Sequence, residues 1–189
     1  MNHLFAKSLA ILLVFLTFSS YTQNKKDNQE KPKQPKKIEW LSFEEAVERN
    51  KKEPRKFLID VYTNWCGWCK KMDATTFHDP RVVEYVSQNF WAVKFNAETH
   101  DTIHFDNKIF INPSPKGKRG TNQLAVALLQ GKLSYPTIVY LDENINMISP
   151  VPGYQSADQI LPLLHWLATD AFREQPNFQI WYQQNWGKK

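Results

Sequence analysis

Apolar residues along the chain follow two periods, and the alternation between them predicts the elements. Leu41, Ala46 and Val47, with Phe43 nearby, give a helical stripe, and Ser42 with Glu45 three residues on is a capping-box pattern. Lys56–Tyr62 is a short, β-favouring apolar run, the pattern of a buried strand. From Cys66 a helix is predicted to about Thr76; His78, Asp79 and Pro80 punctuate it, and Arg81–Asn89 resumes the helical spacing. Trp91–Ala97 alternates like a strand, and Thr102–Asn112 reads as two short strands about an Asp106-Asn107 turn. Pro113–Gly120 is a basic, Pro/Gly-rich loop. Thr121–Gln130 is helical, with Gly131 as its C-cap. Pro136–Leu141 is a second buried strand, turned at Asp142–Asn144 into a strand over Asn146–Ser149. Ser156–Phe172 is a long amphipathic helix with Ile160, Leu163, Leu164 and Leu167 inward. A βαβ half followed by a ββα half predicts an α/β fold: a central mixed β-sheet flanked by helices, with a hairpin insert.

The chain ends read differently. Residues 1–22 combine Lys7, the apolar block Leu9–Phe18 and small or polar residues before Gln23, the order of a secretory signal peptide. The block falls short of the roughly 20 residues that span a bilayer, although an uncleaved membrane anchor is the alternative. Residues 23–37 form a Lys/Pro/Gln-rich linker, residues 38–173 the folded domain, and residues 174–189 an aromatic tail. Phe178, Trp181, Tyr182 and Trp186 in that tail are expected to pack back on the domain, with partner binding as the alternative.

Charge removes one function class. The formal net charge is +5, but the linker holds six Lys against Asp27 and Glu30, whereas residues 38–189 carry 17 basic and 17 acidic side chains. The basic bias belongs to the linker, so nothing in the domain's overall charge points to nucleic acid.

The chemistry lies in Trp65-Cys66-Gly67-Trp68-Cys69, where a strand hands over to a helix. A cysteine in the first helical turn meets the positive end of the macrodipole and free N–H groups, which favour its thiolate. A second cysteine three residues on shares that helical face, within reach of a disulfide. A thiolate with a neighbour ready to displace it is what thiol–disulfide exchange requires. The spacing alone is shared with zinc and copper sites. There is no second CxxC, and His78, His100, His104 and His165 show no ligand spacing, so no metal is expected.

Beyond the cysteines the chain resembles the thioredoxin superfamily over roughly residues 40–170, and in particular its exported, single-domain bacterial members. Asp60 stands six residues before Cys66, Trp65 and Gly67 flank that cysteine, Lys94 lies on the next central strand, and Tyr135-Pro136-Thr137 precedes a late strand. The resemblance implies a thioredoxin-like fold and a thiol–disulfide oxidoreductase. Cys66 is then the attacking thiolate, partly exposed and with a lowered pKa, and Cys69 the more buried resolving thiol. Asp60 is a buried carboxylate taking the proton of Cys69, with a solvent-facing carboxylate as the competing reading. Lys94 is its partner, or a plain surface lysine. Pro136 is cis, freeing the backbone of Tyr135 for an extended substrate, and Trp65, Gly67 and Trp68 border the dithiol as a docking surface. Trp68 replaces the proline of thioredoxin's own motif and leaves the direction of electron flow open. Ala74 replaces a kinking proline, so a straighter active-site helix is expected.

The implied partners are protein substrates with cysteines or disulfides and a membrane or periplasmic thiol–disulfide electron donor or acceptor; no bound cofactor is expected, and the location is periplasmic. The loop with Lys116, Lys118 and Arg119 reads first as solvated, with steering of an acidic partner as the alternative. A non-catalytic client-binding module with a relic dithiol is the second functional reading.

Overall fold

In the computed structural model, which describes residues 37–187, the chain runs α1 (Phe43–Asn50), β1 (Lys56–Tyr62), α2 (Gly67–Ala74), a 3-10 turn (Thr76–His78), α3 (Pro80–Asn89), β2 (Phe90–Asn96), β3 (Ile103–Phe105), β4 (Lys108–Phe110), α4 (Gln123–Leu128), β5 (Thr137–Leu141), β6 (Met147–Pro152), α5 (Ala157–Ala168), α6 (Ala171–Glu174) and α7 (Phe178–Asn185). The signal-peptide expectation, and the linker expectation for all but Lys37, lie outside the described residues.

The sheet has the order β2-β1-β5-β6. β1 pairs parallel with β2 and antiparallel with β5, which pairs antiparallel with β6. Six of the seven residues of β1 are buried, because side chains on both of its faces are covered. On one face Leu58, Ile138 and Tyr140 pack against Val82, Val83 and Val86 of α3 and Ile160, Leu164 and Leu167 of α5. On the other, Phe57, Ile59 and Val139 meet Phe43 and Ala46 of α1 and Leu124 and Leu128 of α4. The predicted α/β fold, a mixed sheet between helices with a β3–β4 hairpin apart from it, is the fold observed.

Several boundaries differ from the sequence pattern, each for a local reason. The active-site helix stops at Ala74, two residues short of Thr76. The Thr75 hydroxyl donates to the Lys71 carbonyl, and the Thr76 hydroxyl donates to the carbonyl of distant Gln155 at 2.5 Å, which turns the chain out of the helix. β6 runs on to Pro152 despite two prolines. It is an edge strand, so residues whose N–H would face outward lose no ladder bond. The long C-terminal helix divides at Asp170, which takes a left-handed conformation (φ 58°) while its carboxylate reaches buried Lys56 at 3.1 Å. The tail forms α7, and Phe178 and Trp186 pack on the α5 side of the core.

Candidate active site

Strand β1 ends at Tyr62, and the Cys66 N–H donates to the Thr63 carbonyl at 3.1 Å, a tight turn that delivers Cys66 to the N-cap of α2. Cys66 and Cys69 form a disulfide, with their Cα atoms 5.3 Å apart. The Cys69 N–H donates to Cys66 Sγ at 3.1 Å, so the first sulfur already takes one of the helix's free donors. Cys69 is 2% exposed and Cys66 5%. Cys66 is thus more covered than the partial exposure expected of it, because in the bonded form its sulfur is shared between Cys69 and the helix terminus. Gly67 is exposed, and a Cβ there would meet nothing, so packing does not demand glycine at this position.

Two indoles border the bridge. Trp65 is 53% exposed and Trp68 55%. Trp65 sits edge-on to Tyr135, ring centres 5.9 Å apart, and its Nε1 donates to both Glu98 carboxylate oxygens at 3.0 Å. Trp68 leans on Tyr154 at 5.5 Å. The Tyr135–Pro136 peptide is cis, Pro136 is buried, and its carbonyl accepts the Gly153 N–H at 2.8 Å. That bond ties the Tyr154 loop to the proline loop, so Trp65, Trp68, Tyr135 and Pro136 belong to one rim.

Below the rim lies a charge network. Asp60 is 1% exposed on β1 and stands in register with Lys94 on β2. The Lys94 ammonium donates to Asp60 Oδ2 at 2.5 Å and also to Asp73. It lies over the faces of Tyr62 and Trp40, at 4.9 and 5.0 Å, which shield it from solvent. Asp73 is one helical turn beyond Cys69, on the same face of α2, so Lys94 links the cysteine helix to the buried carboxylate. Burial pushes Asp60 up to about 6, with Lys94 pulling it back and Asp73 opposing that pull. Lys94 is lowered by its own burial, but the two carboxylates more than offset this and hold it above the ordinary lysine value. Asp60 Oδ1 is buried with no hydrogen-bond partner among the described residues, leaving a lone pair free for a proton.

Lys94→Met keeps an apolar stem among the aromatics and removes the counter-charge. The Asp60 midpoint is expected to move from about 6 to roughly 7 or higher, read from the carboxyl carbon shift by NMR. An unmoved midpoint would show that burial alone sets it.

Of the nine residues singled out from the sequence, Cys66, Gly67 and Cys69 form the start of α2 with its disulfide, Trp65, Trp68, Tyr135 and Pro136 the rim, and Asp60 and Lys94 the network tied to α2 through Asp73. Asp73 was missed, although a carboxylate four residues after Cys69 on a helix is visible in the pattern. Glu98, Tyr154 and Trp40 were also missed, and contacts across tens of residues leave no local signal.

The chain belongs to the thioredoxin-like domain family, whose pattern matches residues 43–168. It is 29% identical over 145 residues to the thiol:disulfide interchange protein DsbD of Haemophilus influenzae (strain PittEE), a match covering 75% of this chain and 21% of that protein. It is also 29% identical over 115 residues to DsbD of Tatumella citrea, covering 60% of this chain and 16% of that one. The chain therefore spans about a fifth or less of the length of these relatives. Among solved structures, a DsbH oxidoreductase matches with TM-score 0.52 and 17% identity, covering 75% of this chain and 91% of that one. A thioredoxin from Thermus thermophilus matches with TM-score 0.52 and 16% identity, over 69% and 87% of the two chains. These two share the fold. A CxxC pair on this fold, with distant DsbD similarity, is consistent with thiol–disulfide exchange.

Proposed function

We propose that the protein is an exported thiol–disulfide oxidoreductase that uses Cys66 and Cys69 on protein substrates, with no bound cofactor. The observation that carries the reading is a disulfide at the N-terminus of α2, bordered by exposed Trp65 and Trp68 and joined to the Tyr135–Pro136 loop through the Trp65–Tyr135 contact. In the reducing direction, the Cys66 thiolate attacks a substrate disulfide, forms a mixed disulfide and expels one substrate thiolate. Cys69 then loses its proton and attacks Cys66 Sγ, expelling the second thiolate. The substrate gains two electrons, and the protein is left as the Cys66–Cys69 disulfide. Helix N-terminal donors favour negative charge on Cys66. Asp60 takes the proton of Cys69, and Lys94 positions and tunes Asp60. Similarity to part of DsbD supports a thiol–disulfide donor or acceptor at the membrane or in the periplasm as the electron partner. The apolar block at Leu9–Phe18 supports export.

Cys69→Ala removes the resolving sulfur. The expected result is a mixed disulfide on Cys66 that accumulates to stoichiometric level with client proteins and is released by dithiothreitol. Absence of any such adduct in the reduced variant would refute the two-sulfur mechanism.

A further inference from the structure

We propose that the dithiol rim selects partner segments carrying carboxylates beside their reactive cysteine, and that Arg119, Lys71 and Lys70 make the selection. The inference rests on the thiol–disulfide reading above and deepens it by naming the class of partner.

Among the described residues, Arg49, Arg55, Arg81 and Arg173 each pair with a carboxylate, and Arg119 does not. Lys70 and Lys71 have no carboxylate partner there either, and all three side chains are exposed. They are placed at the site, however. The Arg119 guanidinium lies 5.4 Å from the ring centre of Trp65. On the other flank, the Lys71 ammonium lies 4.6 Å from Trp68 and 5.2 Å from Tyr154. Each indole beside the bridge therefore carries a cation, and Lys70 directly follows Cys69. The nearby carboxylates are Glu98, which keeps its charge while accepting the Trp65 indole N–H, and Asp60 and Asp73, which share Lys94; the four cations Arg119, Lys70, Lys71 and Lys94 outnumber these three.

Residues 38–189 balance 17 basic against 17 acidic side chains, so this excess comes from local placement and not from overall charge. A cation stacked on a ring keeps its N–H donors free at the edge, ready for a carboxylate. Each exposed pair so formed is worth up to about 1 kcal/mol, or roughly fivefold in rate if made in the transition state. Long-range attraction adds to encounter. Cations near Cys66 also favour its thiolate, but that accelerates every disulfide alike. Selection therefore appears only in a ratio between substrates.

The test uses the reduced full chain and three end-blocked peptide disulfide dimers, with sequences Gly-Glu-Cys-Glu-Gly, Gly-Gln-Cys-Gln-Gly and Gly-Lys-Cys-Lys-Gly. In each reaction the protein dithiol gives two electrons to the dimer, yielding the protein disulfide and two peptide thiols. Each rate is divided by the same protein's rate with uncharged hydroxyethyl disulfide and by the peptide's own rate with dithiothreitol. The Glu peptide is expected to exceed the Gln peptide by about three- to tenfold, with the Lys peptide slower by a similar factor. The spread should narrow in about 0.5 M salt. The double variant Lys71→Glu with Arg119→Glu should invert the order. Equal normalised rates for the three peptides, or an order that the double variant leaves unchanged, would overturn the selection while the exchange reading stands. No reaction with any peptide or with hydroxyethyl disulfide would overturn both.

Discussion

Cys66→Ala is expected to lose disulfide reduction entirely, a fall on the order of a thousandfold or more in insulin reduction with dithiothreitol as donor. The argument is positional. Cys66 is the N-cap of α2, next in sequence to exposed Trp65, whereas Cys69 lies within the helix; they are 5% and 2% exposed. Removing Cys66 leaves only the sulfur of Cys69, which lies one helical turn further into α2 and is 2% exposed. The variant loses the sulfur that caps α2, but neither core cluster on the two faces of β1 includes this side chain, so the far-UV circular dichroism should be largely kept. Loss of fold and loss of chemistry are thereby separable. A variant that is folded and still turns over would refute Cys66 as the attacking sulfur.

How much of this was readable from the sequence depends on the range of the interactions concerned. The α1 cap was legible because Ser42 and Glu45 satisfy each other three residues apart, and β1 because an apolar run of seven fits a strand covered on both faces. The dithiol was legible for the same reason: its requirements sit within five residues. Asp60 and Lys94 entered only through a family resemblance, since their meeting depends on the parallel register of β1 and β2, 34 residues apart. The helix ends at Ala74 and Ala168 were misread because what stops each is distant in sequence: the Gln155 carbonyl for one, Lys56 for the other. Propensity continues a helix that a tertiary contact ends. The rim cations lay in between. Arg119 was visible as a loop charge, but its place over Trp65 depends on how the insert folds back.

Asp60→Asn should stabilise the disulfide form above pH 7 and slow its chemistry there. Asp60 is 1% exposed, and burial holds it at about 6, above the ordinary aspartate value of 3.8. Below the unfolded value both states keep the proton, and the residue makes no difference. As pH rises past that value the unfolded chain releases the proton while the folded one retains it. Stability therefore falls through this window and levels off once pH exceeds about 6. The loss is on the order of 2–3 kcal/mol. Asparagine cannot ionise, so the variant lacks that fall, while Lys94 keeps Asp73 as a partner. Urea unfolding of both proteins from pH 3.5 to 8 should give curves that coincide at the acid end and separate as pH rises, the variant above. A gap independent of pH, or widest in acid, would mean that Asp60 is ionised through this range and not held up by burial. In the proposed mechanism this variant lacks the group that takes the proton of Cys69, so the parent's exchange rate is expected to rise through about pH 6 and the variant's is not.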